Sequence, residues 1–408
     1  MEVGRASPRD RQHHAVTDGR PDAPLVRGPM AGVRRSGIRE MMDSAAALDG
    51  VLHLELGEPD FPTPAHIVEA VGRAQRDGLV KYTLSRGTAV LRELLSEKLR
   101  ERNGLDAPPE RIVVTAGGTL AVYTALASLL DAGDGVLIPD PGWPGAGLAV
   151  TLLHAKPLRY RLLPGEGYLP DLDQLESLAG DARVLFLNTP SNPTGAVLER
   201  ETLERMLGIA ERNGLVVLAD EVYEDIVFDT DHVSIGSLGY EGRVITVFSF
   251  SKGYAMTGWR VGYAVAPADV VEAMVQAQET IVACPSWTGQ KAAEAALTGP
   301  QEPVLAMRDS YRARRDTAVA ALREHGLLIA EPRGTFYAMA DVGALGEDSF
   351  EIARRLLFEQ RVAVAPGETF GPAGRGTVRL SLASPPEVVA EAIGRIARAV
   401  RGAAVTFR

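Results

Sequence analysis

The chain has a single cysteine, Cys284, among its 408 residues. One thiol excludes an intramolecular disulfide framework and suits a reducing compartment, so a cytoplasmic location is expected. No apolar run approaches the roughly 20 residues that span a bilayer. The N-terminal stretch also lacks the apolar core of a signal peptide. Basic residues are in deficit, 43 Lys and Arg against 53 Asp and Glu. The resulting net charge of -10 argues against a general binder of nucleic acid or anionic membrane. Histidines are few and scattered, with no i, i+4 pair on a convincing helix, so no metal site is expected. The G-x-G-x-x-G dinucleotide fingerprint is missing, as is any internal repeat.

The length fits two or three domains with ample core. Residues 1–28 are rich in Arg, Pro, Asp and His and read as a disordered tail, with Met1 or Met30 as the start. From about residue 113 to 266, strand-like and helical segments alternate, the pattern of a mostly parallel sheet covered by helices. Strand readings fall at 111–115, 135–138, 183–187, 215–219, 244–248 and 261–266. Helices are expected at 38–48, 89–102, 120–130, 199–213, 268–283 and 303–325. The remainder reads as α+β, with strands near 328, 335–339, 362–365 and 378–382 and helices near 350–360 and 386–399.

Chemistry-bearing residues collect where these strands end. Gly57-Glu58-Pro59-Asp60-Phe61 is a rigid turn, or a backbone that approaches a ligand closely at Gly57. Ala116-Gly117-Gly118-Thr119 joins a strand to a helix N-terminus, where free N–H groups favour an anion. Trp143 lies past a strand end, where it caps a core or stacks on a flat ring. Asn188-Thr189-Pro190-Ser191-Asn192-Pro193-Thr194-Gly195 is a rigid polar loop at the edge of the sheet where ligands bind. Asp220, ending an apolar strand, needs a partner: a protonated ring nitrogen, an arginine or a helix N-cap. Arg379, inside an apolar strand, is suited to a carboxylate of the protein or of a ligand. The apolar run 244–248 leads into Ser249-Phe250-Ser251-Lys252-Gly253 and on to Arg260. A lysine with little water around it has a lowered pKa and can act as a nucleophile. With the Ser249 hydroxyl and the Arg260 fork, Lys252 could hold a phosphorylated aldehyde.

Taken together and in this order, these motifs resemble the class I/II aminotransferases, fold type I enzymes dependent on pyridoxal 5′-phosphate (PLP). The resemblance runs from about residue 32 to 400. It implies an α/β fold: a mostly parallel, seven-stranded type of sheet with one antiparallel strand in a large PLP-binding domain at 61–300. A small α+β domain would take 301–408 together with an N-terminal arm at 31–60, after a disordered tail at 1–30. It implies transfer of an amino group from an amino acid to a 2-oxo acid by way of a Schiff base on Lys252 and pyridoxamine phosphate. Asp220 would pair with the pyridinium nitrogen, and Tyr223 and Asn192 with the ring hydroxyl. Trp143 would stack on the ring, and Gly118, Thr119, Ser249 and Arg260 would hold the phosphate. Arg379, Gly57 and Asn192 would take the substrate carboxylate. Tyr82 would reach the phosphate of a neighbouring subunit, which implies a homodimer with shared sites. Thr119 stands where some aspartate-using relatives carry a lysine, which weakens a dicarboxylic substrate. Small residues at Pro144-Gly145-Ala146-Gly147 suggest a roomy side-chain pocket. A lyase or cyclase of the same fold, such as a C–S β-lyase, is the rival reading, because the first deprotonation is common to all. A regulator with an aminotransferase-like domain ranks lower, since the segment before Ile38 is short and lacks helical periodicity.

Overall fold

A computed structural model describes residues 25–33, 36–78, 80–240 and 242–406. The tail expected at 1–30 lies mostly outside them. Residues 25–33 belong to a separate unit and contain one turn of 3-10 helix, Gly28–Gly32. The other described residues form the second unit.

Twelve strands occur among the described residues. They are β1 (Leu52–Leu54), β2 (Ile112–Thr115), β3 (Gly135–Asp140), β4 (Lys156–Leu163), β5 (Leu169–Pro170) and β6 (Val184–Asn188). They continue as β7 (Val216–Asp220), β8 (Val244–Ser249), β9 (Gly262–Val265), β10 (Tyr337–Asp341), β11 (Val362–Pro366) and β12 (Thr377–Ser381). The larger sheet has the order β2-β9-β8-β7-β6-β3-β4-β5. Pairings from β8 through β4 are parallel, and β9 runs antiparallel to both β8 and β2. The expected sheet of seven strands with one reversed is therefore present. It is extended by the two-residue β5, antiparallel to β4 at the edge. The smaller sheet has the order β1-β11-β12-β10.

Period-two alternation divides the central strands between two cores. Val184 and Phe186 of β6, with Val136 and Ile138 of β3 and Leu218 of β7, pack against helices Gly118–Leu129 and Ala268–Val282. Leu185 and Leu187, with Leu137, Val217 and Ala219, face helices Leu172–Ala179 and Arg200–Arg212. Both faces are covered, which is why these strands are apolar at nearly every position. Phe186 is fully buried, so truncation to Ala would cost about 3–5 kcal/mol.

Some elements escaped the sequence reading. β4 alternates Leu158, Tyr160 and Leu162 with exposed residues, a period-two signal diluted by Lys156, Pro157 and two arginines. The strand expected near 328 is only an isolated bridge, Leu328 to Ala340. The strand expected from 335 starts at Tyr337, because Thr335 has φ +62. The helix expected over 89–102 leaves α geometry at Lys98 and ends in a π turn, Leu99–Asn103. Helices Ala65–Arg76, Pro144–Leu152, Leu172–Ala179 and Trp287–Thr298 were not anticipated. No helix among the described residues is long and apolar enough to cross a membrane.

Candidate active site

Strand register brings the polar residues to one edge. Asn188 stands opposite Asp220, Asp220 opposite Val247, and Ser249 opposite Gly262. β9 is reversed, so its start at Gly262 pairs with the end of β2 at Thr115. Arg260, just before β9, therefore arrives beside the turn that follows β2.

That turn is shaped to admit the guanidinium. Gly117 has φ +87, and a Cβ there would come within 2.5 Å of an Arg260 nitrogen and 3.0 Å of its central carbon. Arg260 donates to the carbonyls of Thr257 at 3.0 Å and Ala116 at 3.4 Å. The helix Gly118–Leu129 has Gly117 as its N-cap and no capping side chain, so its first N–H groups lack intrahelical acceptors. A Cβ on Gly118 would lie 2.9 Å from Val222 and 3.6 Å from the Cβ of Ser249. Thr119 follows and is exposed. The Ser249 hydroxyl accepts from the Ser251 N–H at 3.1 Å and donates to the Ser251 hydroxyl at 3.0 Å. The cluster is a cation, a hydroxyl pair and a helix N-terminus, a donor set for a phosphate.

Asp220 is buried, and its nearest donor is the Val222 N–H at 3.4 Å. Burial raises its pKa to about 7, countered by that N–H. Among the described residues it has no ion-pair partner; the arginine expected as one alternative is not there. The Asn188 amide and the Thr189 N–H instead donate to the Asp220 carbonyl, at 2.9 and 3.1 Å, which locks the polar loop to the end of β7. The buried carboxylate lacks a cation or a strong donor, which a protonated ring nitrogen supplies.

Lys252 is largely enclosed. Its Nζ donates to the Gly57 carbonyl at 2.7 Å and lies 5.8 Å from the ring centres of Tyr223 and Phe336. Desolvation, with help from Arg379 and Arg260, lowers its pKa to about 8. Near neutral pH roughly a tenth of the amine is therefore neutral, far more than for an exposed lysine, as a nucleophile or base requires.

Arg379 is fully buried between two aromatic rings, 4.3 Å from the centre of Tyr337 and 5.0 Å from that of Phe370. One terminal nitrogen donates to Asn192 Oδ1 at 3.2 Å, and the other donates to the Glu55 carbonyl. Its Nε has no partner, and no carboxylate pairs with it among the described residues. A buried guanidinium so placed has unmet demand for an anion.

Sequence reasoning missed Tyr337. Its hydroxyl is 2.9 Å from that of Tyr223, and it fills the space a Cβ on Gly57 would need. Only long-range packing confers this role, so no local signal marked it beyond a tyrosine opening a strand. Trp143 is partly buried against the apolar cluster that includes Val222, and it N-caps helix Pro144–Leu152. The small residues after it have local reasons. A Cβ on Gly145 would run into the Trp143 indole, and Ala146 is buried in the core. At Gly145 and Ala146 smallness thus serves the indole and the core. Tyr82 is 89% exposed.

The donor set at the turn, the cation-seeking Asp220 and the enclosed Lys252 fit PLP, with phosphate, ring nitrogen and aldehyde each matched by one group. Fold and site thus define a PLP-dependent enzyme of fold type I. The family model described as aminotransferase class I and II matches residues 49–396. The chain belongs to this family. It is 38% identical over 375 residues to aromatic-amino-acid aminotransferase 2 of Thermococcus litoralis, covering 90% of this chain and 96% of that one. It is 36% identical to the aspartate aminotransferase of Pyrococcus horikoshii over 91% of this chain and 96% of that one. Among solved structures, the aspartate aminotransferase of Thermus thermophilus with maleate superposes with a TM-score of 0.87 at 36% identity, covering 91% of this chain and all of that one. The protein is a PLP-dependent aminotransferase, moving an amino group between an amino acid and a 2-oxo acid.

Proposed function

We propose that this aminotransferase takes amino acids with uncharged side chains, using the residues of a single cleft completed by a second copy of the chain. When bound, PLP supplies an electron sink for the pair left by a substrate Cα–H bond. Lys252 holds the cofactor through its amine and afterwards carries the proton to and from the substrate Cα. Asp220 keeps the ring nitrogen protonated. Tyr223 and Asn192 hydrogen-bond the ring hydroxyl, and Trp143 lies against the ring. The N–H groups at Gly118 and Thr119, the Ser249 hydroxyl and Arg260 hold the phosphate. Arg379 grips the α-carboxylate, oriented by Asn192, beside the Gly57 turn.

The observation that supports the substrate class is the count of cations. Among the described residues of one chain, Lys252, Arg260 and Arg379 each have a task, and Thr119 stands where some aspartate-using relatives carry a lysine, which weakens a dicarboxylic substrate. Relatives named for aspartate and for aromatic amino acids both exist, so the family leaves this open. The exposed Tyr82 would complete the phosphate site of the other subunit of a cytoplasmic homodimer. We further propose that residues 61–300 form the cofactor-binding domain, and that 301–408 with 31–60 form the smaller one.

The test is the visible absorption of the purified protein with PLP, before and after single amino acids. The expected result is a band absent in Lys252→Ala, bleached by aromatic or aliphatic donors and restored by a 2-oxo acid. Bleaching by aspartate or glutamate alone overturns the substrate class. A persistent band with release of ammonia would assign a lyase instead.

A further inference from the structure

Tyr337 connects the two halves of the cleft. Its ring lies 4.3 Å from the Arg379 guanidinium, its hydroxyl 2.9 Å from the Tyr223 hydroxyl, and its edge fills the space left by Gly57. The ring is 1% exposed and stands edge-on to Tyr223, with centres 5.7 Å apart. Phe336 at 4.9 Å closes another side. The position is fixed by β10, where Tyr337 opens the strand opposite Ser381 and Met339 faces Arg379.

We propose that Tyr337 is a positioning residue that orients the Tyr223 hydroxyl proton toward the ring oxygen of the cofactor. The inference rests on the PLP reading above. A phenol has one O–H and two acceptor positions. In the buried pair only one hydroxyl donates to the other. If Tyr223 spends its proton on the ring oxygen, Tyr337 must donate to Tyr223. A hydroxyl that both accepts and donates is a stronger donor, because the chain of bonds polarises it. Tyr337 thereby fixes the direction of the Tyr223 proton and strengthens its hold on the ring oxygen. The charged and titratable groups facing this pair are Arg379 from β12, Asp220 from β7, Lys252 from the turn after β8 and Tyr311 from helix Glu302–Glu324, with Glu55 beyond them against Arg379. Each is present in both the wild type and the variant below, so their contributions cancel in the comparison.

The experiment is a pH titration of the visible band of PLP-loaded wild type, Tyr337→Phe, Tyr223→Phe and the double variant. The Phe variant keeps the ring and its stacking on Arg379, so folding is preserved. A net hydrogen bond of ordinary strength corresponds to about 0.4 to 1 pH unit in the midpoint. Weaker stabilisation of the deprotonated ring oxygen moves the midpoint upward, so Tyr337→Phe is expected to shift it up by about that much. In the Tyr223→Phe background the same change should leave the midpoint unmoved, since the relay is already cut. A midpoint in Tyr337→Phe indistinguishable from wild type overturns the proposal, as does an equal shift in both backgrounds. If the wild type forms no band with added PLP, the underlying cofactor reading fails instead. As a further check, Tyr337→Phe should lower kcat more than it raises KM. A rise in KM alone assigns the residue to the carboxylate site and refutes the relay.

Discussion

Gly57→Ala probes the densest contact of the cleft. A Cβ at this position would overlap the Tyr337 hydroxyl oxygen and stand 2.8 Å from Cζ and 3.0 Å from Cε1. Carbon contacts settle near 3.5–4.0 Å, so either the ring or the turn must retreat by about 1 Å. The ring has little room: Phe336 is 4.9 Å away, the Arg379 guanidinium 4.3 Å, and the hydroxyl is tied to Tyr223 at 2.9 Å. If the turn retreats instead, the Gly57 carbonyl leaves the Lys252 amine, which donates to it at 2.7 Å. Overpacking costs roughly 1–3 kcal/mol, and the lost hydrogen bond about 1 more. The lower chain entropy of alanine in the unfolded state returns about 0.4–1 kcal/mol. The net expectation is about 1.5–3 kcal/mol in urea unfolding of the cofactor-free protein. Adding Tyr337→Phe removes the worst overlap, leaving Cζ tight, so the double variant should recover about half of the loss. A single-variant cost below about 0.5 kcal/mol, or costs that simply add, would refute the packing argument.

Asp220→Asn should remove one pH-dependent loss of stability from the cofactor-free protein. Burial raises the Asp220 pKa from 3.8 to about 7, so its stabilising contribution is fully present below pH 3.8 and lost as pH rises through about 7. Asn lacks that loss, so thermal melts at pH 8 should show the variant more stable by roughly 1–3 kcal/mol, with the gap narrowing as pH falls toward 3.8 and reversing once PLP is bound. Arg379→Lys should retain the visible band and lower kcat/KM by at least about 30-fold, because an ammonium cannot reproduce the planar fork held by Asn192 and Glu55; unchanged kcat/KM would remove Arg379 from the carboxylate site. Mixing inactive Lys252→Ala chains with Tyr82→Ala chains should restore up to about a quarter of wild-type activity, because a hybrid dimer holds one site with both residues intact. No recovery after subunit exchange would count against a shared site.

The cleft was legible in the sequence where a residue's surroundings are set by its own strand. Asp220 and Arg379 are polar residues in apolar strands, and burial follows from their neighbours whatever the topology. Lys252 was legible because an apolar run delivers it to the sheet edge. Gly117 and Arg260 lie more than a hundred residues apart, and their meeting depends on the reversal of β9, which local patterns do not encode. Tyr337 was illegible for the same reason: its partners Tyr223, Gly57 and Arg379 come from three distant segments. Gly145 is ambiguous in the sequence because smallness has two causes. It could leave room for a ligand or for a neighbour, and here the neighbour is the Trp143 indole. β4 was overlooked because charged residues stand at both parities, Lys156 with the apolar set and Arg159 and Arg161 opposite it, which masks the alternation of a strand near the sheet's edge.

The three principal groups of the cleft share one property: each is left electrostatically incomplete by the chain itself. Asp220 is a buried carboxyl with no cation beside it among the described residues, and Arg379 is a buried guanidinium with an orphan Nε and no carboxylate. The helix from Gly118 presents N–H groups with no cap. Burying such groups opposes folding, since each would be better solvated in the unfolded chain. By contrast, the buried Lys98 carries its carboxylate with it, pairing with Glu224 at 2.5 Å. The contrast separates scaffold from site: where the chain leaves a buried charge unmatched, the missing counter-charge belongs to a ligand. In the function proposed above, a cationic ring nitrogen, a carboxylate and a phosphate would complete the set, and cofactor and substrate together should stabilise the fold by more than either alone.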